Sequence, residues 1–424
     1  VDRVFPSKSL ADQESHTAHV GFIGRDEEAI DQVVCTLFRG PNSATGEDIV
    51  EISCHGGDVA SDALVRLLVD EGARMAEAGE FTLRAFMNGK VDLAQAEAIG
   101  ELIHAQSVRA GRISLAHLRG RFSQELDAIR EDLLQLVALL ELELDFSEED
   151  VAFADRDQLE SLLNAAAGRL DAMTGSFRFG RALHEGIRVV IVGKPNAGKS
   201  TLMNALLGYD RVIVSETPGT TRDEVESHLE YEGIRFTFVD TAGRRDTTDV
   251  IEAEGVQRSM NAEQGADLVL HLVDVTDSSA DGMALESRIA DDIPRLVVGN
   301  KVDLLSSDPA SASLVPVDLL VSAERMRTGI DAVEALMERV YAETVGSSGP
   351  VKEHQVVTSQ RQQEHIRAAR SAIQRVQTVL DHGGSGDMIS ADVRQVIAEI
   401  GAITGEVTNE DILDRIFSQF CIGK

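Results

Sequence analysis

Gly193, Lys194, Pro195, Asn196, Ala197, Gly198, Lys199 and Ser200 have the spacing G-x-x-x-x-G-K-S, directly after the apolar run Val189 to Val192 and before a helical stretch. Strand, glycine loop and helix in that order make a cradle for phosphate. The glycines let backbone N–H groups turn inward around phosphate oxygens, and the helix N-terminus adds the positive end of its dipole. Lys199 is placed to reach the outer phosphates. Ser200, followed by Thr201, offers a hydroxyl to Mg²⁺. The competing reading is a plain glycine turn.

Three further groups follow in order. Asp240, Thr241, Ala242 and Gly243 come after the apolar run Phe236 to Val239. An aspartate there can hold a metal's water shell, and a glycine N–H can meet a γ-phosphate. Asn300, Lys301, Val302 and Asp303 follow the run Leu296 to Val298, and the Asp303 carboxylate can accept two N–H groups from a guanine edge that adenine does not present. Ser322, Ala323 and Glu324 lie downstream, where a loop would close over the base. Between the first two groups, Gly219, Thr220, Thr221, Arg222 and Asp223 supply hydroxyls for a switch loop, with Thr221 the expected Mg²⁺ ligand. Asp240 to Gly243 alone is weak evidence; Asn300 to Asp303 is the signal for GTP over ATP, and the four ordered motifs together leave little room for a plain glycine turn.

Elements must carry these residues. From about Ile187 to Thr344 apolar runs alternate with helical stretches, the doubly wound α/β pattern. Residues 1–91 mix short β-branched runs (Val33 to Phe38, Asp48 to Ser53) with glycine turns and an amphipathic stretch near Ala60 to Asp70, which reads as a small α+β domain. Phe122, Leu126, Ile129, Leu133, Leu136 and Leu140 step by threes and fours, placing them on one helical stripe. Ile366, Ala369, Ile373, Val376 and Leu380 repeat that stepping. Each stripe would be exposed alone, so the two flanking regions are expected to pack together as one discontinuous helical domain. The resulting division is 1–91, 92–186, 187–345 for the inserted nucleotide domain, and 346–424.

Composition bounds the setting. The 424 residues suffice for two to four domains, and no run approaches the roughly 18 apolar residues of a membrane span. Cys35, Cys54 and Cys421 are odd in number and far apart, which suits a reducing compartment, most simply the cytoplasm. Cys54 beside His55 has no second ligand pair at zinc spacing. The net charge of −32 confines any nucleic-acid contact to a local basic patch. Seven lysines stand against 33 arginines, a balance that would fit a saline source or an ordinary acidic protein.

The chain around the nucleotide motifs narrows the choice of family. Phe420-Cys421-Ile422-Gly423-Lys424 closes the sequence, and Gly40-Pro41-Asn42-Ser43-Ala44-Thr45-Gly46-Glu47-Asp48, Cys54-His55-Gly56-Gly57, Ala78-Gly79-Glu80-Phe81-Thr82-Leu83-Arg84-Ala85-Phe86 and Lys90-Val91-Asp92-Leu93-Ala94-Gln95-Ala96-Glu97-Ala98 precede it. In these segments the chain resembles the MnmE (TrmE) family of tRNA-modification GTPases over nearly its whole length. The resemblance implies an N-terminal domain that forms a homodimer and binds a folate one-carbon donor such as 5-formyltetrahydrofolate, a two-part helical domain, and an inserted GTPase domain. It implies a FAD-dependent partner, joined in a heterotetramer, and modification of carbon 5 of the wobble uridine in tRNA.

It also implies potassium-stimulated hydrolysis. Arg244 follows Gly243, so the water-orienting glutamine of Ras-like proteins has no counterpart there. By the resemblance, Asn196 and the loop Ser215, Glu216, Thr217, Pro218, Gly219, Thr220 and Thr221 would hold K⁺ against the phosphates, and Glu252 would orient the attacking water. Glu51, Lys90 and Lys424 would contact the folate, and Cys421 would serve the modification reaction. Without the family, Glu252, Glu51 and Lys90 read as surface charges and Cys421 as a small buried residue. Relatives begin with a glycine-rich stretch and a folate-binding arginine that do not precede Val1, so the sequence reads as shortened at its N-terminus. Ser215 and Thr217-Pro218 replace the threonine and isoleucine-alanine common in the family, but backbone carbonyls can serve K⁺ regardless. The alternatives are an Era-like ribosome-assembly GTPase, which should carry a basic RNA-binding domain after the GTPase domain, and a signalling switch with slow nucleotide exchange.

Overall fold

The computed structural model describes residues 1–25, 28–145, 156–208, 225–240, 265–277, 293–305, 316–326, 330–346, 352–382, 386–406, 408, 410–418, 420 and 423. They form two compact units, one of residues 1–103, 115–159 and 371–424, the other of 104–114 and 160–370.

In the first unit, β1 (Thr17–Arg25), β2 (Glu28–Phe38) and β3 (Ile49–Ser53) make an antiparallel sheet in that order. Period-two alternation sends Ile23, Val33, Cys35 and Leu37 to one face, where α1 (Asp58–Asp70) adds Leu64 and Leu67 and the leading segment adds Val4, Phe5 and Leu10. Next along the chain come α2 (Glu80–Met87), α3 (Leu93–His104), α4 (Val108–Leu118), α5 (Arg121–Asp145) and α6 (Arg156–Glu185), of which α4 and α6 belong for the most part to the second unit. Along α5 the stripe from Phe122 to Leu140 is buried, each of its six residues 2% exposed or less.

The α/β part of the second unit comprises β4 (Ile187–Val192), α7 (Lys199–Leu207), β5 (Val225–Tyr231), β6 (Ile234–Asp240), β7 (Leu268–Asp274), β8 (Arg295–Asn300), β9 (Leu319–Leu320), α8 (Ala323–Met326) and α9 (Ile330–Thr344). Its strands form one six-stranded sheet in the order β5-β6-β4-β7-β8-β9. Five run parallel, and β5 pairs antiparallel with β6 through a two-residue turn, Glu232 and Gly233, both at positive φ. The parallel strands are covered on both faces and so read as continuous apolar runs; Val189, Val190 and Ile191 are fully buried. The antiparallel β5 alternates with polar residues and is not among the strands those runs predict. The core against the sheet extends beyond residues 187–345: Ala110, Ile113, Phe179, Ala182, Leu183 and Val356 belong to the same cluster as Ile191, Leu202 and Phe238.

The last helices are α10 (Gln360–Asp381), α11 (Gly386–Thr404) and α12 (Glu410–Phe417). Ile366, Ala369, Ile373, Val376 and Leu380 are all buried along α10. α5 packs against α11, with Arg394 paired to Glu141, and Arg130 lies 2.7 Å from Glu406. Among the described residues no helix is long and apolar enough to cross a membrane.

Candidate functional site

The phosphate loop leaves the carboxyl end of β4, the edge of an open α/β sheet where ligands bind. Its shape depends on two left-handed residues, Asn196 at φ 65° and Gly198 at φ 101°. Gly198 is the N-cap of α7, and a Cβ there would stand 2.3 Å from Asn300 Nδ2, so glycine is required by space as well as by φ. Lys199 opens α7 and is 7% exposed. Its Nζ donates to the Gly193 carbonyl at 2.7 Å and the Lys194 carbonyl at 3.0 Å, which tethers the ammonium over the loop. Burial lowers its pKa, opposed by the charge of Asp240; an incoming phosphate would restore the balance. Ser200 Oγ donates to Asp240 Oδ2 at 3.3 Å. A hydroxyl and a buried carboxylate so placed are hard oxygen donors of the kind Mg²⁺ takes.

The base end is built on Asn300, the last residue of β8. Its Nδ2 donates to the Ala197 carbonyl at 2.8 Å, and its Oδ1 accepts from the Ala323 N–H at 2.8 Å. One buried side chain thus ties the phosphate loop to the Ser322-Ala323-Glu324 loop. Lys301 adopts φ 67° and turns the chain into a short 3-10 turn, Val302–Leu304. Its Nζ meets Asp274 Oδ2 at 2.6 Å. Burial alone would raise the Asp274 pKa; the hydrogen bonds from Lys301 and Thr276 outweigh it and hold the group low. Asp303 is held below its usual range chiefly by a hydrogen bond from the Ser322 hydroxyl. That carboxylate is acceptor-only, the complement of the two N–H groups on a guanine edge.

Two family models match the chain: one described as the N-terminus of the GTP-binding protein TrmE, over residues 1–90, and one described as the MnmE helical domain, over residues 93–421. The tRNA modification GTPase MnmE of Salinibacter ruber is 50% identical over 430 residues, covering 100% of this chain and 93% of its own length. The chain belongs to the MnmE family. The tRNA modification GTPase MnmE of Cytophaga hutchinsonii is 44% identical, covering 99% of this chain and 91% of its own. A solved structure of Aquifex aeolicus Era aligns over 44% of this chain and 66% of its own with 24% identity and a TM-score of 0.28, too low to argue from.

Of the site residues expected from the sequence, Asn196, Ala197, Gly198, Lys199, Ser200, Thr201, Asp240, Asn300, Lys301, Asp303, Ser322, Ala323 and Glu324 fall within the described residues. Hydrogen bonds link Lys199 to Gly193, Ser200 to Asp240, and Asn300 to both Ala197 and Ala323. Ser215, Glu216, Thr217, Pro218, Gly219, Thr220, Thr221, Thr241, Ala242, Gly243, Glu252, Cys421 and Lys424 lie outside them. In the N-terminal part, Glu51 is exposed on β3 opposite Thr36, and Lys90 donates to the Pro41 carbonyl at 2.8 Å. Among the described residues no cluster of three or more His, Cys, Asp or Glu is gathered for a metal. His55 pairs instead with Asp31, Nδ1 to Oδ1 at 2.7 Å. Sequence reasoning missed Asp274 and the bridging part of Asn300; the only signal for Asp274 is an acid at the end of a strand next to the one carrying Lys301.

Proposed function

We propose that this chain is a potassium-stimulated GTP hydrolase that, with a FAD-dependent partner, modifies carbon 5 of the wobble uridine in tRNA by a carboxymethylaminomethyl-type reaction. The observation that carries the GTPase part is the Asn300 bridge, because it locks a phosphate cradle and a guanine-complementary carboxylate into one site. Identity to MnmE relatives over the full chain supports the tRNA part.

In this reading Asp303 accepts from the guanine edge, the loop from Gly193 to Gly198 wraps the phosphates, and Lys199 exchanges its carbonyl partners for outer phosphate oxygens. Ser200, Thr221 and Asp240 would hold Mg²⁺, directly or through water, and Asn196 with Ser215, Thr217 and Thr220 would hold K⁺. The positive charge that these residues would hold there would offset the negative charge developing on the transferred phosphoryl group. Glu252 orients the attacking water. The other parts of the proposal are the four-segment domain division, a homodimer through residues 1–91, a folate one-carbon donor at Glu51, Lys90 and Lys424, participation of Cys421, a heterotetramer with the partner and a cytoplasmic location. These rest on family membership.

The test is steady-state GTP hydrolysis in KCl and in NaCl at matched ionic strength. A large stimulation specific to K⁺ is expected; equal rates in the two salts would remove the cation-assisted mechanism. Glu252→Ala should keep GTP binding and lose most turnover.

A further inference from the structure

The hairpin of β5 and β6 has two ends with different work. At one end Val225 pairs with Asp240, the carboxylate that Ser200 reaches, and Thr221 stands four residues before Val225 in sequence. At the other end Tyr231 pairs with Ile234 across the turn Glu232-Gly233. β6 pairs with β4 from Phe236 to Asp240, whereas among the described strands β5 is an edge strand bonded on one side to β6. The register of β5 therefore rests on its ladder to β6 and on the turn at the far end that joins the two strands.

That far end is gripped by one arginine. Arg109, in the first turn of α4, donates from Nη1 to the Glu232 carbonyl at 3.0 Å. Its guanidinium carbon lies 4.5 Å from the ring centroid of Phe179 on α6, a cation–π stack that fixes the plane of the fork. Gly233, at φ +78°, fits close against it: a Cβ there would come within 2.9 Å of the Arg109 Cβ. Two contacts flank the grip, Arg235 Nη1 to Gln106 Oε1 at 2.8 Å and an edge-to-face meeting of Tyr231 with Tyr341. Beside the turn lies an open groove of about 520 Å³, lined by Arg109, Glu230, Glu232 and Gly233.

We propose that Arg109 is a positioning residue for GTP hydrolysis, pinning the far end of the β5–β6 hairpin so that its near end meets the phosphate site in register. The inference rests on the reading of Asp240 and Thr221 as the metal-side groups. It assigns a part in the GTPase site to a residue on a helix outside the α/β insert and remote in sequence from every nucleotide motif. By linkage, the nucleotide bound at the site should also change how firmly Arg109 is held.

The experiment uses the full chain and its Arg109→Gln, Arg109→Lys and Gln106→Ala variants. Hydrogen exchange of the β5 and β6 amides is measured without nucleotide, GDP affinity without Mg²⁺, and GTP turnover across a Mg²⁺ titration. Arg109→Gln is expected to speed exchange in the hairpin, leave GDP affinity within about twofold, raise the Mg²⁺ requirement and lower kcat about ten- to a hundredfold, since a misplacement of about 1 Å can cost about a hundredfold. Arg109→Lys should not restore these values, because an ammonium cannot stack and fork as the guanidinium does. Gln106→Ala, at an exposed residue, should move exchange and kcat in the same direction by less, and it answers the question if Arg109→Gln does not fold. Wild-type exchange, Mg²⁺ dependence and kcat in the folded variants, or full rescue by lysine, would overturn the proposal. Failure of the unaltered chain to hydrolyse GTP would instead overturn the GTPase reading on which it stands.

Discussion

The side-chain amide of Asn300 donates to the Ala197 carbonyl at 2.8 Å across 103 positions of sequence, and nearly the whole residue is buried. With Oδ1 accepting from the Ala323 N–H, both ends of the amide are used inside the protein. Asn300→Ala therefore leaves a buried carbonyl and a buried N–H without their partner. At about 1–3 kcal/mol for each unsatisfied group, the nucleotide-free protein should lose about 2–6 kcal/mol in a urea titration. Unchanged stability, with only nucleotide affinity reduced, would mean that the amide serves the ligand rather than the site.

Asp303 gives a prediction about base choice. Ser322 holds its carboxylate in the ionised, acceptor-only form. Asp303→Asn places an amide against the guanine N–H groups, so GTP affinity should fall by at least about a hundredfold. Xanthosine triphosphate, whose ring carbonyl accepts where the guanine amine donates, should bind the variant better than GTP does. Competition binding with GTP, xanthosine triphosphate and ATP decides it; retained preference for GTP would mean that the base is read elsewhere.

The sequence made the phosphate site legible because its demands are local. Gly198 must adopt positive φ, Lys199 and Ser200 sit at fixed offsets, and a strand and a helix must flank them. The stripes on α5 and α10 were legible for a similar reason, since stepping by three and four specifies which face is buried. Stepping does not specify the partner, so the packing of α5 on α11 could not be read from it. Nor could the bridge from Asn300 to Ala197, which depends on two loops meeting at one edge of a sheet. β5 escaped notice because an edge strand with polar alternation lacks the apolar run of its neighbours, and its Glu232-Gly233 turn is not the Asn-Gly or Asp-Gly pair that marks a hairpin.

Glu80 predicts a pH dependence. Its carboxylate accepts from Arg74 at 2.8 and 2.6 Å, from Arg84 at 2.5 Å and from the Glu77 N–H at 2.9 Å. Arg74 is the main cause that lowers its pKa from 4.5 to about 2. With the folded value below the unfolded one, the contribution is fully present above about pH 4.5 and is lost as pH falls toward 2. Glu80→Gln should lower Tm at pH 7, and the gap to the unaltered protein should close on acidification through that window. A gap that stays constant would assign the effect to packing.

Phe417 and Phe420 join the end of the chain to α2 and α3. They are 3% and 8% exposed and share a cluster with Leu93 and Ala96. Two glycines make the contact possible: a Cβ at Gly79, where φ is +69°, would meet the Phe417 carbonyl at 2.5 Å, and one at Gly100 would touch the Phe420 ring at 3.2 Å. Phe420→Ala should cost about 3–5 kcal/mol as a buried aromatic truncation, and Gly79→Ala should be destabilising through both its φ and the clash. Both residues lie in the unit without the phosphate loop, so GTP turnover per folded molecule should be unchanged. Calorimetry and GTP hydrolysis on the same samples test the pair of statements. A fall in turnover matching the fall in stability would show that the clasp and the nucleotide site unfold together.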